Sequence, residues 1–100
     1  MINLTTKGWL ESHGFTCTEP NLYERTMTKT VDVAFHGEME SSLTVLIFIN
    51  ENLKAYDVVY QKNGRTFKSK TYFFGWNRIA NAIRETVQYA GFNIREGLRI

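Results

Sequence analysis

One hundred residues, 43% hydrophobic and 22% charged, describe an ordinary globule rather than a disordered chain, and one domain is expected at this length. The net charge of +2 covers an imbalance, −3 over residues 1–50 and +5 over residues 51–100, able to steer an anionic partner towards one face. A single cysteine, Cys17, excludes an internal disulfide framework.

The N-terminal MINLTTKGWLESHG shows no basic leader ahead of an apolar run. Within it, TTKGWLESHGF reads as a helix, with Thr5 or Thr6 as N-cap, Trp9 and Leu10 inward and a stop at Gly14. Pro20, in TEPN, marks a loop between this helix and a sheet. NLYERTM and TVDVAF then read as two strands joined by a three-residue loop at Thr28–Thr30, which sets Tyr23 against Phe35 and Met27 against Val31. HGEMES, with Glu38 and Glu40, reads as an acidic loop over His36–Ser41.

SLTVLIFIN places Leu43, Val45, Ile47 and Ile49 on one face, and LKAYDVVYQ does the same with Tyr56, Val58 and Tyr60. A two-residue loop at Glu51-Asn52 joins them and sets Ile47 against Tyr56. Asn63-Gly64 is the strongest turn signal, because a type I′ hairpin needs positive φ at both central positions. Across that turn Lys62 faces Arg65, Tyr60 faces Phe67 and Asp57 faces Lys70. The longest apolar stretch, LTVLIFI at 43–49, is far below the ~20 residues that span a bilayer, so a cytoplasmic protein with no membrane partner is expected.

GWNRIANAIRETVQYAGF carries Trp76, Ile79, Ala80, Ile83, Val87 and Ala90 at helical spacing. Both helices end in Gly-Phe: a left-handed glycine, then a ring free to fold back on the last turn. The fold class is α+β: a helix, an antiparallel meander of about five strands, and a helix packed on one sheet face. Trp76 and Ile83 are expected to rest on Val45, Ile47 and Val58.

Catalytic constellations are thin. His13 and Cys17 are separated by a helix-breaking glycine, and no metal-binding spacing such as CxxC or HExxH occurs. His13 reads as a helix-end residue and Cys17 as a small hydrophobe. Glu24, Asp32, Glu38 and Glu40 read as solvated acids rather than an acid–base pair. No serine sits in a GxSxG setting, and GRTFKSK lacks the following helix of a phosphate loop. Neither an enzyme nor a cofactor is expected.

The hairpin YQKNGRTFKSKTYFF remains. Lys62 and Arg65 flank its turn, while Lys68, Lys70 and Tyr72 are expected on the outer sheet face. These five residues are the candidate partner-binding set. They suit a protein with an acidic surface; the alternative is a nucleic acid, its backbone tracked by the cations and a base stacked on Tyr72. The helix–strands–helix order is shared with double-stranded RNA-binding domains, but extra strands and the absence of a lysine cluster opening the last helix set this chain apart. Small size and simplicity fit an accessory or inhibitory protein of the phage or mobile-element type.

Overall fold

The apolar–polar alternation through the middle of the chain becomes a five-stranded antiparallel meander. The computed structural model describes residues 4–35, 37–73 and 76–95, and the side-chain surroundings of all of these except 4, 5, 76 and 77. Helix α1 (Leu4–Ser12) is followed by β1 (Thr16–Glu19), β2 (Leu22–Val33), β3 (Gly37–Asn50), β4 (Ala55–Lys62) and β5 (Arg65–Phe73), then by α2 (Trp76–Tyr89). The strands lie side by side in chain order, each antiparallel to the next.

One sheet face carries the core. Tyr23 and Met27 on β2, Leu43, Val45 and Ile47 on β3, and Val58 and Tyr60 on β4 are all buried. They form a single cluster with Leu10 of α1, Ile79, Ile83 and Val87 of α2, and Phe15, Phe92 and Ile94. The two chain reversals that join β2 to β3 and β3 to β4 keep those faces in phase, and a one-residue slip at either would turn a strand's apolar set to solvent.

Both helices end in the same way. At Gly14 (φ 78°) the Phe15 amide donates to Leu10 O at 2.9 Å and the Gly14 amide to Glu11 O at 3.2 Å. At Gly91 (φ 90°) the Phe92 amide donates to Val87 O and the Gly91 amide to Gln88 O, each at 3.0 Å. This paired arrangement is the Schellman motif, and both phenylalanines are buried as it requires. The other end of α1 differs from expectation. It starts at Leu4, so Thr6 is no cap but a fully buried residue inside the helix.

Cations from the sheet complete the helix ends. Arg25, buried on β2, donates to His13 O at 2.6 Å and also to Ile94 O. Lys29 donates to Gly91 O, and Lys62 to Ala90 O at 3.2 Å. The carbonyls at a helix C-terminus are unpaired within the helix and carry partial negative charge, so a cation there satisfies both demands. Lys29 also sits over the Phe92 ring, 4.7 Å from its centroid.

Several expected connections move. NLYERTM and TVDVAF are not two strands: β2 runs unbroken through Thr28–Thr30, and its turn falls after Val33. Threonine is a good strand former, and Lys29 is held by α2's end, so nothing forces a reversal there. The acidic segment belongs to β3, which begins at Gly37; His36 lies outside the described residues. Strand number is kept because Thr16–Glu19 forms β1, and Pro20-Asn21 (φ 64° at Asn21) becomes a turn within the sheet. The β3–β4 loop has four residues, 51–54, with Asn50 Oδ1 accepting from the Leu53 amide at 3.0 Å. Its register is therefore shifted by two, Ile47 against Val58 and Val45 against Tyr60, which preserves the apolar face.

Candidate interaction surface along the fifth strand

The turn at Asn63-Gly64 forms as its residues dictate, with φ of 52° and 84° and Lys62 opposite Arg65. Asn63 also ties the turn to β3: its side chain accepts from the Ser42 amide at 2.8 Å, and its own amide donates to Ser42 O at 2.9 Å. Beyond the turn the ladder departs from a simple hairpin. Gln61 pairs with Thr66, but Tyr60 pairs with Lys68, so Phe67 is an extra residue in a β-bulge.

The bulge inverts the expected facing of everything after it. Tyr60 is opposite Lys68, not Phe67; Asp57 is opposite Thr71, not Lys70; Tyr56 is opposite Tyr72. Lys68, Lys70 and Tyr72 thus share the side of the buried Tyr60 and Val58, not the outer face. Tyr72 is half-buried and packs against the core, and burial raises its phenol pKa. Asp57 takes its hydrogen bond from the Thr71 hydroxyl. Phe67 keeps partial contact with Tyr60, ring centroids 6.1 Å apart, while remaining 43% exposed.

The five candidate residues therefore have unequal freedom. Lys62 is spent on Ala90 O, Lys68 reaches Thr86 Oγ1 at 3.4 Å, and Lys70 lies over the Tyr72 ring at 5.2 Å. Arg65 is exposed beside the turn. Sequence reasoning missed the neighbours that α2 brings up to them. Phe67, Lys68, Glu85, Thr86 and Tyr89 line an open groove of about 480 Å³. Tyr89 is almost wholly exposed at its rim. The Tyr60 hydroxyl is buried and makes no hydrogen bond among the described residues, and burial pushes its pKa up to about 12. Thr86, three positions after Ile83, is buried, and nothing in the sequence singled it out as a neighbour of Lys68.

Every residue of β5 except Tyr72 is exposed, and among the described residues no strand covers its far edge. Among the described residues no other strand pairs with the backbone on that side, and the nine residues of β5 include Arg65, Lys68 and Lys70 and no acid. The opposite edge is only the four-residue β1. Among the described residues no group of three or more His, Cys, Asp or Glu is arranged to hold a metal. His13 is stacked on Trp9 (centroids 4.0 Å apart) with its Nδ1 at Trp9 O, 2.8 Å. Cys17 is not packed as a small hydrophobe: it is exposed on β1, its thiol donating to Glu19 O. The four acids do not form one cluster: Asp32 lies opposite Glu38, with Glu40 two residues along, while Glu24 lies opposite Leu46 at the other end of the hairpin. Among the described residues no helix is long and apolar enough to cross a membrane. No family model matches this chain, and neither a curated protein nor a solved structure matches it.

Proposed function

We propose that this chain is a small non-enzymatic binding protein that engages another protein through the basic edge of β5, as an accessory or inhibitory factor. The observation that carries this reading is the nine-residue edge strand, uncovered among the described residues, which carries Arg65, Lys68 and Lys70 and no acid and is bordered by the Phe67–Tyr89 groove. An open edge offers backbone hydrogen bonds to an extended partner segment, and alternate side chains then select its sequence. We also infer that both helices lie against one sheet face. Their buried residues join the same cluster as the strands, and Lys62 and Lys68 on that face both reach α2.

A nucleic acid is the weaker reading. Phosphate tracking needs several free cations, yet three of the four hairpin cations already have neighbours in the fold, and Tyr72 is half-buried rather than presented for stacking. The size-based association with phage and mobile-element factors adds no residue to the choice.

The test is capture from a cell lysate, with and without nuclease, using the parent and an Arg65→Glu, Lys70→Glu variant. A protein retained after nuclease by the parent and lost by the variant is the expected result. Electrostatic steering acts on encounter, so association should slow by ~10-fold or more while the thermal melt is unchanged. Retention that vanishes with nuclease, or a sub-micromolar DNA or RNA affinity with steep salt dependence, would transfer the function to nucleic acid.

A further inference from the structure

Another cavity, of about 260 Å³, lies on a different flank of α2 from the Phe67–Tyr89 groove. Arg84 and Gln88, one turn apart on the helix, line it together with Phe92, Asn93, Ile94 and Arg95. The cap at Gly91 creates it. Were the helix to run on, residue 95 would lie roughly 16 Å beyond Arg84, at 1.5 Å per residue. Instead the chain turns at Gly91, and Arg95 lines the same cavity as Arg84. Phe92 and Ile94 are buried and anchor the returning segment, while Arg84, Gln88, Asn93 and Arg95 stay exposed at the opening.

The lining has one sign of charge. No acid borders the cavity, and neither arginine is in an ion pair among the described residues. Arg84 donates only a long bond to Asn81 Oδ1, at 3.4 Å. Asn93 Oδ1 accepts from the Arg95 backbone amide at 2.9 Å, which leaves the Asn93 NH2 uncommitted. The positive field reaches α1: the His13 pKa is lowered by burial first and then, against the pull of Trp9 O, by Arg95, Arg84 and Arg25. A helix C-terminus ordinarily opposes an anion. Here the carbonyls just past α2, Ala90 O and Gly91 O, accept from Lys62 and Lys29.

We propose that this cavity binds a phosphate dianion between Arg84 and Arg95, with the side-chain amides of Gln88 and Asn93 as further donors. Two like charges gathered without a counter-charge repel, and an anion between them removes that repulsion. A cleft lined by one sign also concentrates ions of the other. The donors select the class of anion. Two guanidinium forks and two NH2 groups supply about six N–H bonds, whereas a carboxylate has only about four acceptor sites. A phosphate brings a third oxygen and a second charge, and the planar guanidinium grips its oxygens in pairs as a lysine does not. The cavity is smaller than the ~300–1,000 Å³ of sites that enclose drug-sized ligands, so the phosphate is free or carried on a small molecule. This site is independent of the β5 edge and of what that edge binds.

The test follows the backbone amide signals of Arg84, Gln88 and Arg95 by NMR as inorganic phosphate is added to the full chain at constant ionic strength. All three should shift saturably, and acetate should bind at least ~10-fold more weakly. A parallel titration with glycerol phosphate separates the sources: tighter binding than inorganic phosphate assigns the site to a small monoester, weaker binding to the free ion. Arg84→Gln and Arg95→Gln should each weaken binding by ~10-fold or more. Both arginines are exposed, so both variants should melt with the parent. If either melts early, Gln88→Glu serves instead, since a carboxylate set between the arginines should abolish binding in a folded protein. Arg84→Lys keeps the charge and loses the fork, so it should bind more like Arg84→Gln than like the parent. Saturating phosphate should raise the parent's melting temperature and leave that of the double arginine variant unmoved. Shifts that grow linearly with any added salt overturn the proposal, as do acetate binding equal to phosphate and full affinity in Arg84→Lys. Sub-micromolar binding of a single-stranded oligonucleotide through the same two arginines overturns it as well, by assigning them to a nucleic-acid backbone.

Discussion

The two halves of the β2–β3 hairpin share one alternation and have opposite fates. In the inner half Tyr23, Arg25 and Met27 on β2, with Leu43, Val45 and Ile47 on β3, are buried at 7% exposure or less. In the outer half the same parity brings up Val31 and Val33 opposite Met39 and Gly37, and Met39 is 50% exposed. What separates the halves is coverage. The inner strands have β4 on one flank and helix residues in their cluster, whereas among the described residues the outer strands pair only with each other. The boundary falls where Lys29 meets Gly91 O and Ser41 is buried. An alternating pattern therefore selects a face; burial depends on what the rest of the chain brings to that face.

Matched substitutions should break the hairpin's symmetry most sharply. Ile47→Ser removes a fully buried side chain and leaves a hydroxyl in the apolar cluster, a loss of ~3–5 kcal/mol. Met39→Ser, on the same strand and of the same parity, should cost less than ~1 kcal/mol because its site is already half solvated. Urea unfolding of both proteins decides the matter. Equal losses would mean that the outer half is packed in solution, against a partner or a second copy.

The cation between the two helix ends gives the next effect. Arg25→Met keeps most of the apolar stem but leaves the carbonyls of His13 and Ile94 without this donor, at a cost of ~1.5–3 kcal/mol. Burial lowers the Arg25 pKa from the ordinary guanidinium value, yet the group stays charged at neutral pH. Lys29→Met should cost less than Arg25→Met, since its hydrogen bond to Gly91 O is exposed. The difference in urea midpoint between the two variants measures how steeply the clamp weakens from the inner half to the outer.

Turn strain separates the hairpins rather than the halves. Gly64 has φ +84° and open space around its missing Cβ, so Gly64→Val should lose ~1–2 kcal/mol from backbone strain alone. Phe35→Gly, at a site that already carries that strain, should cost nothing or gain a few tenths of a kcal/mol. Thermal melts that moved in the same direction for both would contradict the left-handed assignment at one of the two turns.

The fold was legible where local chemistry and burial pointed the same way. Gly14-Phe15, Gly91-Phe92 and Asn63-Gly64 each specify their geometry within a few residues, and the Leu43–Ile49 alternation marks the face whose buried residues share one cluster with Ile79 and Ile83. It was illegible where the determinant lies elsewhere in the chain. β1 is exposed at every residue and so has no alternation to read. The β2–β3 turn uses Phe35 at positive φ, which no composition rule anticipates. The Phe67 bulge inserts one residue into a strand whose two faces are both polar, so nothing in Thr66-Phe67-Lys68-Ser69 announces the slip. That slip decided the candidate site. It moved Lys68, Lys70 and Tyr72 to the core side, and the neighbours of Lys62 and Lys68 come from an α2 that ends some twenty residues later.

The smallest effect concerns pH and belongs to the packed end. His13 stacks on Trp9, and its backbone carbonyl accepts from Arg25. Its pKa is lowered from 6.5, chiefly by burial and further by the charges of Arg95, Arg84 and Arg25, although the contact with Trp9 O opposes the shift. The unfolded chain therefore takes up the proton first as pH falls. Above about pH 6.5 neither state binds it, and His13 makes stability independent of pH. Between 6.5 and the lowered folded value the unfolded state binds more protons, so stability declines with falling pH; below both values the decline stops. Carboxylates also titrate towards the acid end, so the contribution is isolated by comparison with His13→Gln, which keeps a polar side chain at the helix end and cannot titrate. The parent should lose more melting temperature than His13→Gln between about pH 7.5 and about pH 5.5. Parallel curves for the parent and His13→Gln would mean that His13 is as solvated as the outer half of the hairpin, and that the clamp around Arg25 is looser than its hydrogen bonds imply.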